Sequence, residues 1–121
     1  MIPSTKPSDS DKTTALEEYV KAASEHGRGT ESGDSDRANV AYERRGQLLA
    51  RFFAGEGREQ LVMLLKHEEP SVRLWAAVDT YRLDPRRSVE VLEAVAREPG
   101  LVGFSAEMTL RELKSGRLVP P

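Results

Sequence analysis

The chain has 121 residues, a length that predicts one small domain, and it contains no cysteine, which excludes disulfide bonds and thiolate metal sites. Its 18 basic and 20 acidic side chains give a formal net charge of -2, which argues against a simple polybasic nucleic-acid binder. Because the sequence has neither an apolar run of membrane-spanning length nor the apolar core of a secretory signal, we expect a cytoplasmic protein that does not enter a membrane.

The two ends of the chain are expected to flank a single helical domain. Residues 1–13 are rich in Pro, Ser, Asp and Lys, a composition typical of a flexible lead-in. Residues 14–115 form the predicted domain, and residues 116–121 are expected to be a loose tail. No segment has the alternating pattern of a strand, so the predicted class is all-α with about six helices.

The first predicted helix lies in "TTALEEYVKAASEHG". Its apolar residues Leu16, Tyr19, Val20 and Ala23 recur at i, i+3, i+4 and i+7, the spacing of one helix face. Gly27 is expected to end this helix, because glycine is a common residue at helix C-termini. The polar segment "GRGTESG" is then expected to be a loop.

A longer second helix is predicted to begin after Asp34 or Ser35, either of which is a good N-cap, and to end near Gly55. Gly46 lies inside it, where glycine costs roughly 1 kcal/mol against alanine, and a close helix crossing at this position would account for it. The apolar side of this helix is expected to consist of Ala38, Tyr42, Leu49, Phe52 and Phe53.

Four shorter helices are predicted from Glu59 onward. The segment "EQLVMLLKHE" is apolar almost all round, which predicts a well-buried helix. The next helix begins at Pro70 and contains the only tryptophan, Trp75. Asp84 is expected to cap a third helix with Pro85 at its first position, and "LVGFSAEMTLREL" predicts the last helix after a "PG" break.

The second half of the chain resembles itself at a shift of about 29 residues, a period in the range of helical repeats. "VMLLKHEEPSVRLWAAVDTYR" then aligns without a gap with "VLEAVAREPGLVGFSAEMTLR". Trp75 aligns with Phe104, and Arg82 aligns with Arg111. We interpret the two segments as helical hairpins stacked side by side, with the first two helices as a divergent third layer.

The segment "EEPSVRLWAAVDTYRLDP" resembles the helical repeat of HEAT and PBS-lyase type proteins, in which proline opens the second helix, Val-Arg follows, and paired alanines allow close packing. The matching residues are Pro70, Val72, Arg73, Ala76 and Ala77. The chain departs from this pattern at Asp79 and Thr80, where the repeat favours Ala-Leu.

More of the chain, from about Leu16 to Leu113, resembles a small bacterial family of HEAT-like proteins catalogued as a domain of unknown function (number two-zero-one-nine). The matching pieces are "GDSDRAN" with Tyr42, "VRLWAA" and "EPGLVGFSAEMTLREL". The resemblance implies a HEAT-like stack of helical hairpins, an α-α superhelix, and brings no established reaction with it.

No set of residues in the sequence predicts catalysis. His26 and His67 are the only histidines, and neither has a second ligand one turn away, so no metal site is expected. "GFSAE" around Ser105 lacks the second glycine of a nucleophile elbow. We therefore expect a protein that is not an enzyme and that holds no cofactor.

Two structural polar contacts are predicted. Glu107 lies in the apolar last helix and is expected to pair with an arginine such as Arg73 on the neighbouring helix. Asn39, which is unfavourable inside a helix, is expected to brace a helix connection together with Asp34 and Tyr42.

The predicted function is protein binding by a HEAT-like module, either as an adaptor or as an immunity protein that blocks a toxin. The candidate interface consists of Trp75, Arg82, Phe104 and Arg111, because Trp, Tyr and Arg are common interface anchors. Whether Trp75 is a partly exposed anchor or a buried plug between layers stays open. The alternative is nucleic-acid backbone binding through grouped arginines, which are Arg44, Arg45, Arg51, Arg82, Arg86, Arg87 and Arg111.

Overall fold

The computed structural model describes residues 9–53 and 57–121. The part of the predicted lead-in before Asp9 and the predicted helix end at Gly55 lie outside these residues. The prediction of a flexible lead-in is wrong for residues 9–13, which are helical. The described chain forms six helices, which are α1 (Asp9–Ser32), α2 (Ser35–Phe53), a 3₁₀ helix (Arg58–Lys66), α3 (Pro70–Asp79), α4 (Pro85–Ala96) and α5 (Gly100–Ser115). The predicted all-α class is thereby confirmed. None of the helices within the described ranges has the length and apolar character needed to cross a membrane.

The helices form a stack in which neighbours along the chain pack on one another. α1 packs against α2, the 3₁₀ helix against α3, α3 against α4, and α4 against α5. α1 also packs against α3 and α5, so it links the first hairpin to the rest of the stack. After α5 the tail returns to the α3–α4 turn, where Arg82 Nε donates to the carbonyl oxygen of Pro120 at 2.9 Å.

The first helix does not end at Gly27, and "GRGTESG" is not a loop. α1 continues to Ser32 because two of its glycines lie at helix crossings. A Cβ atom on Gly27 would lie 2.6 Å from Cβ of Ser71 in α3. A Cβ atom on Gly29 would lie 2.8 Å from the backbone nitrogen of Ala38 in α2. Gly33, with a φ of +74°, provides the left-handed residue that ends the helix.

The second helix begins where the sequence predicts, since the Asp34 carboxylate accepts a hydrogen bond from the Arg37 backbone N–H at 3.0 Å. The predicted close helix crossing at its interior glycine, Gly46, is not observed. No atom lies within 4 Å of a Cβ built on Gly46, so no helix crosses there. The predicted apolar side is wrong at Tyr42, which is 57% exposed; the buried residues are Ala41, Leu48, Leu49 and Phe52.

The segment predicted as a helix buried all round is a 3₁₀ helix with one buried side. Leu61, Leu64 and Leu65 are buried, whereas Met63 is 72% exposed. Residues three apart share a face in a 3₁₀ helix, so Leu61 and Leu64 point together toward α3. The next boundaries are confirmed, since Pro70 opens α3 and the Asp84 carboxylate accepts from the Arg87 backbone N–H at 3.2 Å.

The predicted repeat is visible in the small residues of α3 and α5. Ala77 and Ala106, which align, are both fully buried. Thr80 and Thr109, which also align, each donate a hydroxyl hydrogen bond to the carbonyl oxygen four residues earlier, at 2.7 and 2.8 Å. The aligned helices therefore use the same close-packing residues against the stack.

Candidate functional site

Trp75 lies in the core and is not an interface anchor. It is 4% exposed, and its ring centroid lies 5.9 Å from that of Tyr19 and 5.2 Å from that of His26, both in α1. The aligned aromatic residue Phe104 is 59% exposed. The difference follows from the fold, because α3 is covered by α1, the 3₁₀ helix and α4, whereas α5 is the last helix of the stack. The candidate interface is therefore corrected at Trp75.

A polar cluster lies beside Trp75 and joins the first three α-helices. The carboxylate of Asp79, in α3, accepts a hydrogen bond from the Tyr19 hydroxyl at 2.5 Å. Both ends of the Arg45 guanidinium, from α2, also donate to this carboxylate, with Nε at 3.1 Å from Oδ2 and Nη2 on Oδ1. The Asp79 side chain is fully buried and that of Arg45 is 13% exposed. The arrangement is a bidentate buried ion pair completed by a tyrosine.

Burial dominates the electrostatics of this cluster. It raises the pKa of the Asp79 carboxyl, while the charge and hydrogen bonds of Arg45 and the hydroxyl of Tyr19 act in the opposite direction. Burial, followed by the adjacent Asp79, raises the pKa of Tyr19 well above its ordinary value. Tyr19 therefore stays protonated and serves as a donor. The cluster holds a buried ion pair and a hydroxyl donor in place between three helices.

Two aromatic rings enclose the Arg45 guanidinium. Its central carbon lies 5.4 Å from the ring centroid of Tyr42 and 5.4 Å from that of Trp75. Tyr42 thus covers Arg45 from the solvent side. This cluster was not predicted from the sequence, although the departure of Asp79 from the repeat pattern was a signal for it.

Neither of the two predicted structural polar contacts is present among the described residues. Asp34 caps α2, but Asn39 is exposed on that helix. Arg73 pairs with Glu98 at 3.3 Å and not with Glu107. Glu107 pairs instead with Arg111, one turn further along α5, at 3.1 Å. The prediction of an Arg73–Glu107 pair is wrong, because Glu107 lies on the exposed side of α5.

Most of the grouped arginines have partners within the chain. Those partners are Glu18 for Arg44 and Arg51, Asp79 for Arg45, Glu90 for Arg86, Glu107 for Arg111, and the Pro120 carbonyl for Arg82. The arginine groups are spread over α2, the α3–α4 turn, α4 and α5. Arg82 and Arg111 are exposed, as an interface requires, but each already has an intramolecular contact.

The outer face of α5 carries an apolar stripe, which we define as Leu101, Phe104 and Met108. These side chains are 47%, 59% and 36% exposed. Their spacing of i, i+3 and i+7 places them on one side of the helix. The opposite side packs into the stack through Gly103, Ala106 and Leu110. Phe104 was predicted as an interface residue, but Leu101 and Met108 were not. Aligning α5 with α3 gave no sign that one side of α5 is uncovered.

The N-terminus of α5 is held in place by α1. One carboxylate oxygen of Glu31 accepts the backbone N–H of Val102 at 2.8 Å. The negative charge also lies at the positive end of the α5 dipole, which is a favourable position. This contact, together with α4, fixes the direction in which the apolar stripe faces.

A groove of about 700 Å³ runs between α1 and α2. Two ion pairs bridge the helices along it, between Arg37 and Glu25 at 2.6 Å and between Arg44 and Glu18 at 2.6 Å. The hydrogen bond from Arg37 lowers the pKa of Glu25. Acidic and basic groups alternate along the groove, so it favours no ligand charge. In the described parts of the chain, no group of His, Cys, Asp and Glu residues is placed to hold a metal ion.

Comparison with known proteins adds one structural neighbour. The chain is similar in structure to the protein RPA1889 from Rhodopseudomonas palustris CGA009, with a TM-score of 0.78 over 96% of this chain and 100% of that chain. The two share 23% sequence identity, so the similarity concerns the fold alone. No family model and no curated protein matches the chain.

Proposed function

We propose that this chain is a non-catalytic protein-binding module, and that the outer face of α5 is its contact surface. The observation that carries the proposal is the apolar stripe, because its three large side chains lie in solvent on one side of a regular helix. Contiguous exposed apolar side chains rimmed by charged residues are typical of protein interaction sites. Phe104 is the central side chain of the stripe and the proposed anchor.

The position of α5 in the stack supports this choice. Helical stacks need a polar outer face on their terminal helix to stay soluble, and α5 departs from this rule in its first two turns. Gly103, Ala106 and Leu110 form its buried side, and the large apolar side chains of the stripe lie outside the buried core. A HEAT-like relationship, which the sequence suggests, is compatible with a module that binds through one helix surface.

Protein binding is favoured over nucleic-acid binding. A site for a phosphate backbone needs basic side chains that are free to replace counterions. All the grouped arginines except Arg87 instead contact Glu18, Asp79, Glu90, Glu107 or the Pro120 carbonyl. The stripe itself lies between acidic and basic residues in similar number, which suits a protein surface. An adaptor and an immunity protein would both use such a face.

Site-specific photo-crosslinking tests the proposal. A photoreactive phenylalanine analogue is placed at Phe104, and in a matched control at Arg86, whose side chain is 91% exposed on α4. We expect discrete protein adducts from position 104 in a lysate of the native cell, suppressed by excess unlabelled chain. The mass of each adduct distinguishes a second copy of the chain from another protein. Absence of adducts at position 104, or equal adducts at both positions, would overturn the proposal.

A further inference from the structure

The charged residues around the apolar stripe of one copy can complement the same residues of a second copy. Arg97 and Glu98 lie immediately before the N-terminus of α5, while Arg111 and Glu112 follow the stripe about one turn after Met108. Each end of the stripe thus carries one basic and one acidic residue. We propose that the partner on this face is a second copy of the chain, bound as a two-fold dimer with antiparallel α5 helices. This inference rests on the proposed function, since it uses the same stripe.

The apolar part of the face suits two-fold pairing. The stripe spans about 10 Å along the helix from Leu101 to Met108, and Phe104 lies near its middle. In an antiparallel arrangement centred beside Phe104, the two Phe104 rings pack together. Leu101 of one copy then lies opposite Met108 of the other. Such a contact is isologous: the stripe of each copy packs on the stripe of the other, so both stripes are covered.

The free charges decide between the antiparallel and the parallel arrangement. Glu98 is paired with Arg73, and Arg111 is paired with Glu107. Arg97 and Glu112 are exposed, and within the described ranges neither side chain forms an ion pair. Antiparallel helices bring Arg97 of one copy opposite Glu112 of the other, twice in each dimer. Parallel helices would place Arg97 beside Arg97 and Glu112 beside Glu112, which is repulsive.

The balance of charge also favours a second copy over a strongly charged partner. One free base and one free acid flank the stripe, so the face has no net charge that would select a polyacidic or polybasic surface. For the same reason, the face of one copy has no net charge that would repel the same face of a second copy.

Sedimentation equilibrium of the full chain tests the inference. Between about 1 µM and about 1 mM protein, we expect the apparent mass to rise from 13.4 kDa toward twice that value. Phe104→Asp is expected to abolish the rise. Arg97→Glu and Glu112→Arg are each expected to weaken dimerisation about tenfold, since each replaces two attractions with repulsions. The double variant Arg97→Glu/Glu112→Arg is expected to restore it, because the pairs form again with reversed sign.

Glu93→Arg is the matched control, since it makes the same charge change at an exposed position on α4 and is expected to leave the dimer unaffected. Circular dichroism checks that each variant is folded; should Phe104→Asp not fold, the charge variants alone decide. A monomer at every concentration would overturn the dimer, and adducts of another mass at Phe104 would then leave the proposed function standing. Failure of the double variant to recover would overturn the antiparallel arrangement.

Discussion

Replacing Asp79 with alanine is expected to lower the free energy of unfolding by about 3–5 kcal/mol, the usual cost of breaking a buried ion pair from one side. The Asp79 side chain is fully buried and the Arg45 side chain is only 13% exposed. Without the carboxylate, the guanidinium stays largely buried with no acid opposite it. The Tyr19 hydroxyl, which is also fully buried, loses its acceptor at the same time. The loss therefore combines an uncompensated charge with an unsatisfied donor.

Two further variants separate these contributions. Tyr19→Phe removes one hydrogen bond to a charged acceptor, for which we expect a loss of about 1.5–3 kcal/mol. The triple variant Tyr19→Phe/Arg45→Met/Asp79→Leu replaces the whole cluster with apolar side chains. It is expected to lose less than Asp79→Ala alone, because a buried ion pair exchanged for well-packed apolar groups often changes stability little.

Urea unfolding measures these differences. Trp75 is the only tryptophan and lies against the cluster, so its fluorescence reports loss of packing there. Because changes at Arg45 alter the emission of Trp75 directly, circular dichroism over the same urea range provides an independent curve. The reasoning would be refuted by a loss below about 1 kcal/mol for Asp79→Ala, or by a triple variant less stable than Asp79→Ala.

Three other outcomes are expected from the same unfolding assay. Gly46→Ala should stabilise the chain by about 1 kcal/mol, since the position is helical and open; a destabilised variant would contradict the observed open space. Burial, and then the nearby guanidinium, lower the pKa of His26 from its ordinary 6.5, so the unfolded chain takes up the proton more readily. Stability is therefore fully present above pH 6.5 and decreases as the pH falls from there to the lower folded-state pKa; His26→Gln should reduce this dependence. Trp75→Ala should cost about 3–5 kcal/mol, whereas Phe104→Ala should change stability by less than about 0.5 kcal/mol, and equal losses would contradict their assigned positions.

The starts of α2, α3 and α4 were predictable because their signals are local, whereas α1 begins at Asp9, before the predicted start at Thr14. A proline at Pro70 and an Asp84–Pro85 pair satisfy or remove backbone donors in the first turn, whatever packs nearby. The end of α1 was not predictable in this way. Glycines such as Gly27 and Gly29 commonly end a helix. Here they continue it and leave room for Ser71 and Ala38, which approach from other helices. A single sequence does not distinguish a glycine that ends a helix from one that admits a neighbour.

The candidate site shows the same division. The repeat correctly aligned Ala77 with Ala106, since both positions need a small residue for close packing. It also aligned Trp75 with Phe104 but left the exposure of Trp75 open, because exposure depends on how many helices cover each layer. Asp79 was recognised only as a departure from the repeat, since its partner Arg45 lies on another helix and far away in the sequence.

The two faces of α5 have different physical causes. Its inner face is explained by folding, because Gly103 and Ala106 let the helix approach the stack and Glu31 holds its first turn. Its outer face is not explained by folding, since replacing Phe104 with a polar residue would change the stability of the chain little. Large apolar side chains that contribute nothing to their own core lower solubility, and that cost is offset only when another surface covers them. The proposed contact outside the chain gives the stripe on α5 a physical reason that the packing of the chain itself does not.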